Sequence, residues 1–523
     1  MLLVRRQVAL CALLVPALAA AQSKPTQSPA GATTVGPSRG TVIVVGGGSM
    51  GPEIYSAFIE AAGGPDALII DVPTAGGDSV YGQNAPGTRG WKTAGAKNVY
   101  VLHTTDKRLA DTDSFTAVIK RAGGIWFEGG RQFHLVDSYA GTKTEKAFND
   151  VLARGGVVGG SSAGASILGD FLVRGAPSNN NFIMDYPGYE KGFAYLRGVG
   201  IDQHVVARER LADLADSIIA KYPGMLAISE DEGTAWVVRG DTATIVGRNK
   251  AFVYGGKDAT DRGKPFLTLF PGDRYNLATR RVMHRVADES PVAASVIDSL
   301  FKKYTDPSAG GATVLVAQGG KVFVNRSFGI PDQPKYMPTT TVPQFAVGKI
   351  SEVFTALCAQ LPETPARGGG GGGGAPDSAG RGQGRGGRAA GPPLTPFQSC
   401  ITRRVSTPIG MHKTAATTEG VVLSSVDELY RLSLGLENPR TFGRDSSASG
   451  NGSAVDLTKG WQADTYHGVS RLSAYGTSDG HRTAFVRIPE RRATIIVLTN
   501  DDGADAKRIA DEITNRLLIA KTR

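Results

Sequence analysis

Five short apolar segments recur between residues 41 and 162, and this repeat limits the possible folds more than any other feature of the sequence. They are TVIVVGGGS (41–49), DALIIDVPTA (66–75), NVYVLHTT (98–105), GIWFEGG (124–130) and GGVVGGSS (155–162). Stretches with helical character lie between them, and the clearest are 53–62, 112–122 and 143–154. Buried strands that alternate with helices predict a parallel sheet with both faces covered. Functional sites in such sheets lie where a strand ends and a helix begins.

The length of 523 residues is too great for one hydrophobic core, so we expect at least two domains. The formal charge of +10 includes six arginines that lie in the leader and in a Gly-rich tract: Arg5, Arg6, Arg367, Arg381, Arg385 and Arg388. Without them the charge is about +4, which does not indicate binding to nucleic acid.

The first 21 residues begin with a basic pair, continue with an apolar run over 8–21 and end in small residues. This pattern predicts a signal peptide that is cleaved near Ala21, and hence a secreted or periplasmic protein. The run is shorter than the roughly 20 residues that span a bilayer, so we expect no stable membrane insertion. Residues 22–39 are rich in Ser, Pro, Thr and Gly and predict a disordered lead.

The alternation of strands and helices ends near residue 285, and a second segment begins near 291. We therefore predict one domain at 40–285 and a smaller domain at 291–523. A Gly/Arg-rich insert at 362–398 interrupts the second domain and is read as flexible. Cys358 and Cys400 flank this insert. They either form a disulfide in an oxidising compartment or are two unrelated buried thiols.

The segment Gly160-Ser161-Ser162-Ala163-Gly164 fits the pattern G-x-S-x-G. Between a strand and a helix, this pattern is typical of a nucleophile elbow, in which glycine permits a sharp turn and free N–H groups face an oxyanion. Taken alone, the match is weak, and it favours a Gly-rich structural turn with bystander serines.

A serine nucleophile also needs a base and a group that orients the base. Among seven histidines, His204 has the most suggestive setting, since DQHVVARER (202–210) places it beside an acid, an amide and two arginines. Carboxylates follow in LAISEDEGTAWVV (226–238), flanked by apolar residues. The sequence contains no clustered cysteines and no H-x-x-x-H pair, so we expect neither metal nor cofactor.

Five motifs in order make residues 40–285 resemble the cyanophycinase branch of the cyanophycinase/peptidase E serine peptidases. They are the glycine turn at 46–48, GGRQ (129–132), GGSSAGA (159–165), DQHVVARER (202–210) and EDEGTAWVV (230–238). The resemblance implies an α/β fold: a three-layer sandwich with a mostly parallel sheet, of the class I glutamine amidotransferase type.

By this resemblance Ser162 is the nucleophile, His204 the general base and Glu232 the orienting acid, with Glu230 as a rival for the last role. The oxyanion donors are then the backbone amides of Ala163 and of a glycine at 129–130, for which we take Gly130. The resemblance also implies a set of substrate contacts: Gln132, Asp202, Gln203, Arg208 and Arg210.

The implied activity is that of an exopeptidase that cuts cyanophycin, a polyaspartate with arginine on its side chains, to β-Asp-Arg dipeptides. Arg208 and Arg210 are suited to bind a substrate carboxylate. Asp213 stands where the family has a third arginine, and Glu128 stands where a small polar residue is common. Both change the charge of the pocket, so another β-aspartyl or acidic peptide is an alternative substrate.

Residues 308–523 resemble the serine β-lactamase/DD-peptidase-like family in VSTPIGM (405–411) and GVVLSSVDELYRL (420–432). The S-x-x-K motif of that family is lost, because Lys349 and Glu352 hold its serine and lysine places. We therefore predict a small α+β domain without its own catalysis, which serves binding or dimerisation, so a homodimer is an expected assembly. A β-lactamase-like esterase and a non-catalytic binding protein are the alternatives for the whole chain.

Overall fold

The computed structural model describes residues 35–178, 180–261, 263–306, 309–329, 345–361, 394–437, 441 and 455–519. The predicted signal peptide at 1–21 and most of the Gly/Arg-rich insert lie outside the described residues. No helix within these ranges is long and apolar enough to cross a membrane.

The strands and helices of the first half follow the predicted alternation. The strands are β1 (Thr41–Val45), β2 (Leu68–Val72), β3 (Asn98–Val101), β4 (Ala122–Phe127), β5 (Val157–Ser161), β6 (Gly169–Phe171), β7 (Leu196–Gln203), β8 (Leu226–Glu230), β9 (Thr234–Arg239), β10 (Thr242–Gly247), β11 (Ala251–Tyr254), β12 (Leu267–Leu269), β13 (Arg274–Asn276) and β14 (Arg281–His284). The α-helices are α1 (Pro52–Ala62), α2 (Pro86–Thr93), α3 (Lys107–Ala110), α4 (Asp113–Thr116), α5 (Gln132–Tyr139), α6 (Lys143–Ala153) and α7 (Ala163–Ser166).

The central sheet has the order β14-β13-β10-β9-β1-β5-β4-β2-β3. Alternate residues of β1 face opposite sides: Val42 and Val44 pack in one core cluster, and Ile43 and Val45 pack in another with α1. Both faces are thus buried, as the continuous apolar runs predict, and the predicted α/β class is confirmed.

The prediction of a mostly parallel sheet needs correction. The pairs from β3 to β1 are parallel, but β9, β10, β13 and β14 add to the sheet in antiparallel pairs. A second sheet, β12-β11-β8-β7-β6, is mixed in the same way. Short turns such as the one between β9 and β10 join neighbouring strands as hairpins, which forces the antiparallel direction.

The second half contains strands and helices that do not share a sheet with the first. The strands are β15 (Ala312–Gln318), β16 (Lys321–Phe328), β17 (Phe345–Ala346), β18 (Ala415–Ala416), β19 (Val422–Ser424), β20 (Gln462–Tyr466), β21 (Val469–Ser478), β22 (His481–Ile488) and β23 (Ala493–Thr499). The α-helices are α8 (Ala294–Leu300), α9 (Ser351–Gln360), α10 (Pro396–Cys400), α11 (Thr407–Ile409), α12 (Val426–Gly435) and α13 (Ala506–Ile519).

An antiparallel sheet of order β16-β15-β23-β22-β21-β20 forms the centre of this half. Helices α8 and α13 pack on one face of the sheet, and α9 and α12 pack on the other. Cys358 on α9 and Cys400 on α10 form a disulfide bond, which decides between the two alternatives for these cysteines. The resemblance to the β-lactamase-like family stays a prediction.

Two predicted boundaries of irregular segments are wrong. The disordered lead was expected to reach residue 39, but the N–H groups of Val35 and Gly36 both donate to Oδ1 of Asp241 at 2.9 Å. The Gly/Arg-rich insert was expected to reach residue 398, but α10 begins at Pro396 behind a capping box of Thr395 and Gln398. In both places, hydrogen bonds order residues whose composition alone predicts disorder: long-range bonds to Asp241 in the first, and a local capping box in the second.

Candidate active site

The sharp turn between β5 and α7 presents the side chain of Ser162. Its backbone has φ 58° and ψ −118°, a conformation that is rare for residues other than glycine. The flanking glycines allow the turn, since a Cβ on Gly160 would lie 2.2 Å from the carbonyl oxygen of Gly164. A strained serine between a buried strand and a helix has the geometry of a nucleophile elbow rather than of an ordinary glycine turn.

His204 directly follows β7 and contacts Ser162. Its Nε2 lies 2.9 Å from Oγ of Ser162, and its Nδ1 lies 2.7 Å from Oε1 of Glu232. The turn after β1 leaves room for the ring, because a Cβ on Gly47 would lie 2.1 Å from Cε1 of His204. The structure therefore brings the three predicted side chains into one line of hydrogen bonds.

The protonation states in this line follow from the surroundings. Burial alone would raise the pKa of Glu232, but hydrogen bonds from His204 and His412 lower it below the usual range. Burial also lowers the pKa of His204, and the charge of Arg208 adds to the effect, against the opposing pull of Glu232. Glu232 is thus an acceptor, Nδ1–H of His204 donates to it, and Nε2 keeps a lone pair for the hydroxyl proton of Ser162.

Glu230, the rival for the orienting role, lies elsewhere. It is the last residue of β8 and is fully buried. Neither of its carboxyl oxygens has a hydrogen-bond partner among the described residues. Burial and the nearby Asp202 raise its pKa well above the usual range, so this carboxyl is neutral. Of the two glutamates, Glu232 is the one that contacts His204.

Two backbone segments border the hydroxyl of Ser162. Ala163 is the first residue of α7, so its N–H has no carbonyl partner within the helix. A Cβ on Gly129 would lie 3.3 Å from Cβ of Ser162, so the glycine pair after β4 runs beside the serine. Gly130 has φ 145° and packs against the carbonyl of Ala75. The predicted oxyanion donors, Ala163 and Gly130, thus belong to segments next to the serine.

Gln132 and Gln203, two of the predicted substrate contacts, are both buried. Gln132 is the first residue of α5, and its Nε2 lies 3.3 Å from the carbonyl oxygen of Val173. Gln203 ends β7 directly before His204, and its Oε1 is buried without a hydrogen-bond partner among the described residues. An unpaired buried acceptor is costly, and an N–H group of a ligand would satisfy it.

The predicted contacts Arg208 and Arg210 differ in exposure. Arg208 is exposed near His204, whereas Arg210 is buried, and its Nε lacks a hydrogen-bond partner in the described part of the chain. Burial, with the neighbouring charge of Arg174, lowers the pKa of Arg210 to about 10. Its guanidinium lies 5.8 Å from the centre of the Phe182 ring. A buried cation with a free donor is suited to bind a carboxylate.

Asp202, another predicted substrate contact, is paired with an arginine inside the fold. Its side chain is fully buried, and both carboxylate oxygens accept hydrogen bonds from Arg174, at 2.8 and 2.7 Å. Arg174 also donates to Oδ2 of Asp213 at 2.6 Å. A substrate group that bound this carboxylate would compete with Arg174, and the direct contact of Asp202 with substrate stays a prediction.

Comparison with known proteins shows which family the first half of the chain resembles. Residues 42–246 match the family model described as peptidase family S51. We call residues 42–246 the S51 domain, after the family model that they match. The S51 domain is therefore a serine-type peptidase, and the predicted resemblance to the cyanophycinase family is confirmed.

The curated relatives are similar to the first half of the chain only. A cyanophycinase of Synechococcus elongatus is 28% identical over 272 residues, which cover 47% of this chain and 82% of that protein. A cyanophycinase of Geminocystis herdmanii is 28% identical over 270 residues, which cover 48% and 98%. A solved peptidase from an acI-B1 Actinobacterium has 23% identity, covers 46% of this chain and 97% of its own, and has a TM-score of 0.34.

Glu128, the second departure from the family pattern, directly follows β4 and is close to another carboxyl group. Its carboxyl lies beside that of Asp71, and a Cβ on Gly87 would touch both groups. Burial and the neighbouring Glu128 raise the pKa of Asp71 well above its usual range, and burial also raises the pKa of Glu128. The pair holds at most one negative charge, so Glu128 adds less charge to the pocket than the sequence suggests.

Sequence reasoning missed several residues that hold the site of the S51 domain. Arg174 donates hydrogen bonds to Asp202 and Asp213, and Asn249 donates from Nδ2 to the backbone carbonyl of Glu232. His412 lies in the second half, and its Nε2 lies 2.9 Å from Oε2 of Glu232. No local pattern marks these residues, because each lies in a different segment from its partner.

The residues at the lost S-x-x-K position of the second half lie in a turn and at the start of a helix. Lys349 lies in the 3-10 turn Gly348–Ile350, and Glu352 lies in the first turn of α9. Ser351 begins α9, and its Oγ accepts the N–H of Val422 at 3.1 Å. Neither a lysine nor a histidine contacts this hydroxyl among the hydrogen bonds of the described residues, in contrast to Ser162.

Proposed function

We propose that the S51 domain hydrolyses the backbone of cyanophycin and releases β-Asp-Arg dipeptides. The observation that carries this proposal is the line of hydrogen bonds from a strained Ser162 through His204 to Glu232. The curated relatives that share this half of the chain are cyanophycinases, which supports this substrate over other acidic peptides.

In the proposed acylation step, His204 takes the hydroxyl proton on Nε2 while Oγ of Ser162 attacks the scissile carbonyl carbon. The carbonyl oxygen becomes an oxyanion, which the N–H groups of Ala163 and Gly130 stabilise. The C–N bond then breaks, and the imidazolium of His204 gives its proton to the leaving amine. Glu232 stabilises the imidazolium and fixes its orientation throughout.

Deacylation repeats these roles with water as the nucleophile. His204 takes a proton from water, the resulting hydroxide attacks the ester carbon, and the C–O bond to Ser162 breaks. The proton returns from His204 to Oγ, so the free enzyme is restored. Every proton in this cycle passes through His204, which agrees with a pKa low enough to leave the ring neutral between steps.

We assign substrate recognition to the cationic and amide side chains beside His204. Arg208 and Arg210 bind a substrate carboxylate, for which guanidinium groups provide two parallel donors. The buried Oε1 of Gln203 accepts from an amide or guanidinium N–H of the substrate, and Gln132 lines the same region. Arg174 acts indirectly, because it pairs with two carboxylates and offsets one of the two negative charges that would otherwise oppose the substrate.

Release of β-Asp-Arg from insoluble cyanophycin by the purified full chain, without added metal, tests the proposal. Ser162→Ala should abolish release, whereas Ser351→Ala, the matched change in the second half, should leave the rate within about twofold. Release that survives Ser162→Ala would overturn the nucleophile. Hydrolysis of small β-aspartyl dipeptides with an inert polymer would instead assign the alternative substrate class.

We further propose that the protein is exported, with cleavage after a signal peptide at 1–21. The disulfide between Cys358 and Cys400 supports this, since such bonds persist in oxidising compartments and are rare in the cytosol. Sequencing of the mature amino terminus should begin near Gln22. A mature protein that keeps Met1 would overturn the proposal. The native mass of the same sample tests the expected homodimer.

A further inference from the structure

A histidine from the second half reaches the acid of the proposed triad. Nε2 of His412 lies 2.9 Å from Oε2 of Glu232, while Nδ1 of His204 lies 2.7 Å from Oε1 of the same carboxylate. Glu232 therefore receives one imidazole on each oxygen. Because the carboxylate can only accept, Nε2 of His412 must carry the hydrogen.

The backbone around His412 is held in place by the second half itself. The segment follows α11, where Gly410 adopts φ 69° and the N–H of the buried Met411 donates to the carbonyl of Ser406. The carbonyl of Gly410 accepts from Nη1 of Arg431 at 2.9 Å. His412 thus approaches Glu232 from a fixed turn and not from a loose loop.

Arg431 joins the two halves directly behind this turn. Its side chain is buried, donates from Nε to Oδ1 of Asn249 at 2.6 Å, and places Nη2 3.3 Å from Oδ2 of Asp231. Asn249 in turn donates to the backbone carbonyl of Glu232. The second half therefore contacts the catalytic acid at its side chain and, through Asn249, at its backbone.

We infer that the second half completes the peptidase site, with His412 as a positioning residue that orients Glu232 and sets the basicity of His204. This inference rests on the proposed roles of Ser162, His204 and Glu232. It assigns a use to a half of the chain that has lost the S-x-x-K motif. A carboxylate with both oxygens bonded has one orientation, whereas a carboxylate bonded on one side can rotate away from His204.

The charges in this arrangement predict a pH effect. The hydrogen bond from His412 to Glu232 raises the pKa of His412, whereas burial lowers the pKa of His204. When His204 takes up a proton on acidification, His412 is already charged. The charged imidazole of His412 at one oxygen of Glu232 then disfavours a second charged imidazole at the other oxygen. His204 therefore stays neutral at a lower pH than it would without His412.

Other ionisable groups also face the two histidines, and the test leaves them unchanged. Those around His412 are Glu232, Arg431 and Glu428, and those around His204 are Glu232, Arg208 and Asp231. Lys413, the neighbour of His412, pairs with Glu209 instead. This makes Lys413→Gln a matched control, since it removes a contact between the halves without touching Glu232.

The experiment measures the rate at which a fluorophosphonate modifies Ser162 in the full chain, as a function of pH. In this reaction the Oγ–P bond forms, the P–F bond breaks, fluoride leaves and His204 takes the proton, so the rate reports the neutral fraction of His204. The variants are His412→Gln, which keeps a neutral donor, His412→Ala, which removes it, and Lys413→Gln. Thermal melting of each variant checks the fold.

We expect His412→Ala to lower the plateau rate about tenfold, the usual effect of losing a hydrogen bond to a charged group. His412→Gln should keep the plateau within about threefold, and both variants should move the acidic midpoint up by about one pH unit. Lys413→Gln should change neither value. Wild-type midpoints in both His412 variants would overturn the inference, whereas a wild-type chain that is not modified at Ser162 would overturn the proposed function itself.

Discussion

Nη2 of Arg174 lies 2.6 Å from Oδ2 of Asp213, and the same guanidinium also binds both oxygens of Asp202. Asp213 stands where the family has an arginine, so the sequence suggests a pocket with an unbalanced negative charge. The structure shows instead that Asp213 is paired with a buried arginine from another segment, whose single charge it shares with Asp202. Arg208 and Arg210 thus keep the surroundings of a substrate carboxylate positively charged.

Removal of the negative charge at Asp213 should strengthen the binding of a substrate carboxylate by Arg208 and Arg210. Asp213→Asn leaves Arg174 paired with Asp202 and makes the surroundings of Arg210 more positive. We expect KM for cyanophycin to fall about two- to fivefold with kcat nearly unchanged, because the charge acts on binding and not on the acyl transfer. Asp216→Asn, an equal change at an exposed position of the same segment, is the control. A rise in KM for Asp213→Asn alone would show that Asp213 binds substrate itself.

The charge of Arg208 should be visible in the pH profile of kcat/KM. Burial is the main reason for the lowered pKa of His204, and Arg208 contributes by repulsion. The base must be neutral to act, so activity should persist below pH 6.5, and Arg208→Gln should move the acidic limb upward. The same variant should also raise KM for substrates that end in a carboxylate. An unchanged limb would mean that the exposed guanidinium is too well solvated to influence His204.

Glu230 offers a test of which acid belongs to the site. The pKa of Glu230 is higher in the folded protein than in the unfolded chain. The free energy of unfolding of the wild type is therefore greatest below the ordinary pKa near 4.5, and it declines as the pH rises toward the pKa of the folded state. Glu230→Gln removes this titration, so the variant should gain stability over the wild type progressively between pH 5 and 8. At pH 8 we expect Tm to rise by about 2–4 °C, as about 1 kcal/mol produces in a domain of this size.

Activity completes the comparison of the two acids. Glu230→Gln should retain peptidase activity, because its carboxyl does not touch His204. Glu232→Gln should lower kcat by several orders of magnitude, since an amide does not stabilise the imidazolium. Loss of activity in a stable Glu230→Gln variant would reverse this assignment.

The parts of the site that are local in sequence could be predicted, and the parts that cross the fold could not. G-x-S-x-G identifies the turn of Ser162 because glycine spacing directly reflects backbone geometry. DQHVVARER places His204 at a strand end for a similar reason, since apolar periodicity marks the strand. Arg174 and His412 carry no such mark, because each is defined by a partner 28 or more residues away.

The same distinction applies to the sheets. Apolar runs predict buried strands, and β1 to β5 form the expected parallel region. Strand direction beyond β7 depends on turn geometry and long-range pairing, so the antiparallel pairs of β9 and β10 were missed. In the second half, β20 has no apolar run that would mark it in the sequence, since most of its residues are exposed.

The disulfide between Cys358 and Cys400 connects the stability of the second half to catalysis. The cysteines are 42 residues apart, and closing a loop of this length contributes about 2–4 kcal/mol through the unfolded state. Replacement of both cysteines by alanine should therefore lower the melting temperature of the second half, while the rate at 25 °C stays near that of the wild type.

Loss of activity on heating should follow that lowered melting transition, because His412 and Arg431 hold the acid of the S51 domain. Calorimetry follows the melting of the chain, and residual Ser162 labelling after each temperature step reports the site. Labelling that survives melting of the second half would show that the S51 domain keeps Glu232 in place by itself. Labelling that disappears with that transition, in both the wild type and the cysteine variant, is the expected result.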